Sequence, residues 1–211
     1  KPANVFGRKT FDIFLYLNGA LGPFLIGTEV ATFFTGSQFS LDYMNHVKWA
    51  NQWHGLEALV DARNVALGLA VLFLVKCNAS MFIINSVSDE DLTDRSVRKL
   101  IINSVAFLVF FLFFVVSLLV SKGYAVDEVT GNVVMEKFKY LSNLIQMPVV
   151  LILFLAGVAG VLYGLLISIF QGSRKGIWYS GAGTILAVFS LFLIAGFNGT
   201  AFYPSSSDLK S

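Results

Sequence analysis

The chain predicts an all-α fold: a polytopic transmembrane bundle of about five helices with two long outer loops. Three observations predict it. Five apolar stretches, near residues 11–34, 65–87, 100–121, 148–170 and 177–197, each reach the roughly 20 residues that a helix needs to cross a hydrocarbon core. Hydrophobic residues make up 56% of the chain and charged residues only 13%, about half the charged fraction of ordinary soluble domains. Mean hydropathy is +0.73. No water satisfies backbone groups inside a bilayer, so each stretch must be helical throughout its crossing.

The first span follows Arg8 and Lys9 and contains one Gly-rich interruption, Gly19-Ala20-Leu21-Gly22-Pro23. The loop after it holds Trp49, Trp53 and the run His54-Gly55-Leu56-Glu57-Ala58-Leu59, which reads as a short interfacial helix. The second span carries Lys76 and the single cysteine, Cys77. One cysteine excludes an internal disulfide framework, a Cys-rich zinc site and thioether haem attachment. After the third span, Val126 to Val133 places β-branched residues around a Gly131-Asn132 turn signal, the pattern of a small hairpin. Met135 to Met147 mixes apolar residues with Lys137, Lys139 and Asn143, as an amphipathic surface helix would. Pro148 opens the fourth span, where a helix tolerates it. Gly160 and Gly164 form a G-x-x-x-G pair in that span, a pattern that permits close helix contact. The polar ends, Lys1-Pro2-Ala3-Asn4 and Ser205 to Ser211, read as cuts through loops. Residues 1–211 are expected to form a single transmembrane domain, part of a longer subunit.

Five crossings put the two ends of the chain on opposite sides. One side collects Lys1, Arg8, Lys9, Arg95, Arg98, Lys99, Arg174 and Lys175, mostly in short segments. The other spreads Lys48, Arg63, Lys122, Lys137, Lys139 and Lys210 over long loops. Positive charge concentrated in short loops marks the cytoplasmic side, and Gly172-Ser173-Arg174-Lys175 carries two positives and no negatives. The N-terminal end is therefore expected in the cytoplasm. Trp178 and Tyr179 at one boundary and Trp49, Trp53, Tyr140 and Tyr203 at the other fit the aromatic belts of membrane interfaces.

Lys76 is the sharpest anomaly. A lysine at the centre of a span costs roughly 2.5–3.5 kcal/mol on insertion scales, so a carboxylate, a propionate, a carbonyl or a water-filled pocket should face it. A snorkelling or structurally paired side chain is the plain alternative. Glu29 is the acid well inside a span, with Asp12 at a margin. A Glu29–Lys76 pair is possible without being compelled, and Glu29 also suits a proton path, a quinone-headgroup pocket or bonds to Thr28 and Thr32. His46 and His54 fall outside every span, and eight-residue spacing without a carboxylate motif is a poor metal signature. Membrane b-type haem takes His or Met ligands, and Met81 is the intramembrane thioether here. No haem and no metal are expected on this chain alone. Asn18, Asn78, Asn85, Asn103 and Asn198 lie in or beside spans and suit interhelical hydrogen bonds. No phosphate loop, nucleophile elbow or metalloprotease motif is present, and no basic stripe points to nucleic acid. Catalytic residues: none.

Several strings, in order, carry a resemblance. They are Thr32-Phe33-Phe34-Thr35-Gly36-Ser37, His54-Gly55-Leu56-Glu57-Ala58-Leu59, Asn64-Val65-Ala66-Leu67-Gly68-Leu69-Ala70, Met147-Pro148-Val149-Val150, Lys175-Gly176-Ile177-Trp178 and Tyr203-Pro204-Ser205. Together they resemble subunit II of cytochrome bd-type quinol oxidases (cytochrome d ubiquinol oxidase subunit II), in the form of anaerobic, Bacteroides-like bacteria. The likeness extends over essentially the whole chain. It implies a longer subunit with nine crossings, of which these are the fourth to eighth, in a bacterial inner membrane. It implies a complex that oxidises quinol and reduces dioxygen to water, with haem b and haem d in partner subunit I. Subunit II would brace that partner, hold a structural quinone and contribute to a proton route. The family's acidic residues for that route lie in early helices absent here, so no catalytic residue carries over.

Two other classes compete with this reading. A secondary transporter or channel would line its path with Lys76 and Glu29, and such proteins often show internal repeats and broken helices. The Gly-rich interruption here has no counterpart. A purely structural membrane scaffold would associate with partners without affecting redox turnover.

Overall fold

The computed structural model describes residues 7–127 and 129–209. Lys1, Pro2, Ala3, Asn4, Glu128, Lys210 and Ser211, used above in reading charge, termini and hairpin, lie outside the described residues, as does the side chain of Arg8. Among the described residues, five helices are long and apolar enough to cross a membrane. They are α1 (Arg8–Thr35), α2 (Ala62–Ser86), α3 (Glu90–Val120), α5 (Pro148–Gln171) and α6 (Gly176–Gly196), with the short α4 (Lys139–Gln146) before α5. The fold is all-α in its spans, as expected. Tight turns join α2 to α3 and α5 to α6 at one end, the turn end. Long segments join α1 to α2 and α3 to α5 at the other, the loop-bearing end.

Helix boundaries follow local chemistry. Asp61 caps α2 by accepting from the Arg63 amide at 2.8 Å, and Asp89 caps α3 by accepting from the Leu92 amide at 2.9 Å; an N-cap carboxylate satisfies one orphan amide of the first turn. Glu90 and Asp91 add negative charge where the α3 dipole is positive. This helix begins ten residues before the expected span at 100–121. The hydropathy window detects where a helix becomes apolar, whereas the charged run from Glu90 to Lys99 is helical outside that window. The Gly19–Pro23 interruption does not break α1, which runs through Pro23.

The two long loops depart further from expectation. The run His54–Leu59 does hold a short helix, of the 3-10 type and displaced to Leu56–Val60. Strands β1 (Phe39–Leu41) and β2 (Val47–Trp49) pair antiparallel with Phe39 opposite Trp49; nothing in their composition announced them. The second loop does form a hairpin, but its strands flank the segment read as strand. Lys122–Val126 (β3) pairs with Val133–Lys137 (β4), Val126 opposite Val133. The amphipathic helix is correspondingly shorter, because Met135 to Lys137 belong to β4.

Packing is closest within α1–α2, α2–α3 and α5–α6. The α5–α6 seam is made of small residues: a Cβ on Gly157 would stand 2.5 Å from the Ala187 amide nitrogen, and one on Gly183 2.5 Å from the Gly157 carbonyl oxygen. Backbones this close need glycine, as G-x-x-x-G packing does. Helices α1 and α2 cross in the same way where Gly27 meets Gly68. The buried core runs through Ala31, Phe34, Leu67, Cys77, Met81, Phe107, Phe114, Phe154 and Ile194.

Candidate functional site

Lys76 stands on α2 fourteen residues after Ala62 and ten before Ser86, about 21 Å and 15 Å from the two helix ends at 1.5 Å per residue. Its Nζ lies 5.2 Å from the Phe73 ring centroid and 6.0 Å from that of Tyr16 on α1. Phe73 is one turn nearer the helix N-terminus, the direction in which helical side chains tilt. The amine rests between these two rings, on the side of α2 that meets α1.

The structure does not bring Lys76 and Glu29 together. Tyr16, beside the amine, precedes Glu29 by thirteen residues, about 20 Å along the helix. Rotation separates them too. Gly27 faces Gly68 of α2, and Glu29 lies about 200° around α1 from Gly27. Its carboxylate is exposed, and no ion pair to it is found among the described residues. Thr32 bonds to the Glu29 backbone carbonyl at 2.7 Å, not to the side chain.

At the loop-bearing end a polar pocket of about 300 Å³ is lined by Thr35, Gln38, Glu57, Asp61, Arg63, Asn64 and Tyr124, among others. Arg63 Nη2 donates to Asp61 Oδ2 at 2.6 Å and Nε to Oδ1 at 3.1 Å. That guanidinium holds the Asp61 carboxyl below the usual carboxylate range. Thr35 donates to Asn64 Oδ1 at 2.8 Å, and the Asn64 amide donates to the Ala58 carbonyl at 3.1 Å. Glu57 Oε2 accepts from the Gly55 amide, while Oε1 is enclosed without a hydrogen-bond partner among the described residues. Burial pushes the Tyr124 phenol up.

Between the helices the chemistry is apolar. A cavity of about 340 Å³ lies among α2, α3, α5 and α6, lined by Leu67, Phe107, Phe111, Val158, Leu162 and Thr184 with others. A second, of about 270 Å³, lies among α1, α2 and α6 and shares Leu67, Val71, Leu74, Thr184, Val188 and Leu191 with the first. Its polar margin is Asn78, whose Oδ1 accepts from the Ser180 hydroxyl at 3.1 Å and ties α2 to α6.

Against protein-family models, residues 1–209 match the one for cytochrome bd terminal oxidase subunit II. The chain belongs to that family. No curated relative matches it. As a cytochrome bd subunit II, it is a multi-pass membrane component of a respiratory terminal oxidase, a complex with another oxidase subunit and with haem cofactors.

In this subunit II the two histidines and the intramembrane methionine lie far apart. His46 is exposed on the first loop, where Nδ1 lies 3.2 Å from Asp42 Oδ2. His54 is exposed nearby, against Trp49. Met81 is buried on α2, nineteen residues past Ala62 and about 29 Å along the helix from the histidines' end. Met81 therefore cannot share one iron with either histidine. No cluster of three His, Cys, Asp or Glu residues suited to a metal occurs among the described residues.

Sequence reasoning passed over the residues that close the loop-bearing end of subunit II. The last carbonyls of a helix have no intrahelical donor. Those of α1 are met from the second loop: Tyr140 donates to the Phe34 carbonyl and Tyr124 to the Thr35 carbonyl, each at 3.0 Å. The buried Asn143 amide does the same for α6, donating to the Ile194 carbonyl at 3.0 Å. Asn143 had been visible as a polar residue of an amphipathic segment, with no signal of which helix end it would serve.

Proposed function

We propose that this chain is the haem-free membrane subunit of a quinol:oxygen oxidoreductase. Two quinols give four electrons and four protons, which reduce one dioxygen to two waters on haems b and d held by the partner subunit. The family match across residues 1–209 carries this reading. The dispersed His46, His54 and Met81 support placing the haems in the partner rather than here.

The chain braces the haem subunit and supplies no catalytic group of its own. The two adjoining apolar cavities, about 340 and 270 Å³, suit the prenyl tail of a structural quinone, because they offer area to an apolar chain and almost no polar groups. Glu29 and Lys76 are the intramembrane groups available to a proton route, since ionisable residues at bilayer depth mark such paths. The membrane is the bacterial inner membrane. The basic turn with Arg174 and Lys175 faces the cytoplasm, which puts the N-terminal end there and the loop-bearing end outside.

Deletion and complementation test the reading. Membranes from a host lacking its own quinol oxidases, supplied with the full oxidase, consume oxygen when given quinol. Omitting the gene for this subunit abolishes that uptake, and restoring it in trans recovers it. Uptake unchanged by the omission would refute the proposal and favour a scaffold.

A further inference from the structure

We propose that Lys122 and Lys137 together bind the phosphate of an anionic phospholipid in the leaflet at the loop-bearing end, so that one headgroup bridges the two strands of the β3–β4 hairpin. The inference goes beyond the oxidase reading and rests on the membrane-spanning fold alone.

Three observations carry it. The first is register. Lys122 and Lys137 stand directly opposite each other in the antiparallel pair, which puts their Cβ atoms about 5 Å apart on one face of the hairpin. Both residues are exposed. Like charges directly opposite destabilise a strand pair, and an anion held between them replaces that repulsion with attraction to a shared partner.

The second is that the protein supplies no such anion. Among the described residues neither lysine forms an ion pair. Glu136 precedes Lys137 on the strand and so projects from the other face, where the Lys139 amine meets it at 3.5 Å. Asp127 lies past the far end of the ladder, and its carboxylate accepts from the Thr130 hydroxyl at 2.6 Å. Asp61 is engaged by Arg63 at 2.6 Å.

The third is depth. The charged part of α3 ends at Lys99, and the next charge along the chain is Lys122. The uncharged run 100–121 rises about 33 Å as a helix, close to the hydrocarbon thickness of about 30 Å. Lys122 therefore stands in the headgroup layer, where lipid phosphates lie. Val120 and Phe138, beside the two lysines in sequence, are exposed and offer apolar surface to the acyl chains of the same lipid. A zwitterionic lipid carries its own cation, which competes with the lysines for the phosphate; an anionic lipid carries none.

Thermal dissociation of the complete oxidase tests this, after lipid is stripped in a neutral detergent and either phosphatidylglycerol or phosphatidylcholine is added back. For the wild type, phosphatidylglycerol is expected to raise the midpoint more than phosphatidylcholine. The double variant Lys122→Gln/Lys137→Gln should lose that difference, whereas Lys48→Gln, on the other hairpin, should keep it. Without lipid the double variant should be as stable as the wild type or more so, because the repulsion is gone. This sign separates lost lipid binding from a folding defect.

A phosphatidylglycerol increment that is absent from the wild type, or that survives in the double variant, overturns the proposal. So does inorganic phosphate that reproduces the increment at equal concentration, since the ligand is then a free anion. A double variant that is less stable without lipid and sheds its partner subunit assigns the lysines to a protein carboxylate, and also overturns it. Native mass spectrometry of the same preparations gives the second readout. The double variant is expected to retain less phosphatidylglycerol than the wild type, and equal retention overturns the site.

Discussion

The side-chain amide of Asn143 donates to the carbonyl of Ile194 at 3.0 Å, across 51 residues of chain, and joins the short helix of the second loop to the end of the last span. Asn143 is fully buried. Its Oδ1 accepts from Asn198 at 3.2 Å, and its Nδ2 lies 3.4 Å from the Phe197 carbonyl. With Tyr140 on Phe34 and Tyr124 on Thr35, one loop closes the ends of two spans that it does not adjoin in sequence.

Asn143→Leu keeps roughly the volume and removes both donor and acceptor. Orphaning a buried polar group costs about 1–3 kcal/mol. Thermal dissociation of the purified complex should fall measurably, whereas Ile145→Ala, at an exposed apolar position of the same helix, should shift it little. Equal shifts for the two would deny Asn143 its capping role.

Glycine substitutions in α6 should separate by face. A Cβ on Gly183 meets the Gly157 carbonyl and the Val161 amide at 2.5 and 2.6 Å, while one on Gly181 meets nothing within 4 Å. Gly183→Ala must push α5 from α6 and should lower folded yield severalfold. Gly181→Ala should be neutral or slightly stabilising, since alanine is the better helix former by about 1 kcal/mol. Detergent-solubilised yield by size exclusion compares them directly.

The Asp61–Arg63 pair predicts a pH dependence with a definite sign. Hydrogen bonding to Arg63 lowers the Asp61 carboxyl below its ordinary value of 3.8. A group depressed in the folded state contributes stability that is present above the unfolded value and is lost as pH falls through the folded one. The stability gap between wild type and Asp61→Asn should hold constant from neutral pH to about pH 5, then close below about pH 4. A gap that widens on acidification would contradict the pairing. The dissociation midpoint in a pH series measures it.

Sequence pattern made the spans legible because hydropathy over some twenty residues is a sum, and a sum tolerates local error. Lys76 and Glu29 stood out for the same reason: a charge inside such a run is conspicuous. That the two would lie on opposite sides of α1 was not legible, because it depends on where α1 meets α2, a contact set by Gly27 against Gly68. The loops were harder. Phe39–Leu41 and Val47–Trp49 form strands of only three residues each, too short for a period-two pattern to register. Asn78 was recognisable as an interhelical amide, yet its partner Ser180 follows it by 102 residues. Pairings at that separation come from tertiary packing.

This subunit, as proposed above, is required for a haem-bearing oxidase and holds no haem itself. The most direct measurement is a reduced-minus-oxidised visible spectrum of the complex captured through a tag on this subunit, repeated on the two subunits after mild separation. The intact complex is expected to show b-type bands and a red-shifted haem d band, and those bands should follow the partner after separation. Intact, pure complex without haem absorbance, or haem remaining with this subunit, would contradict it.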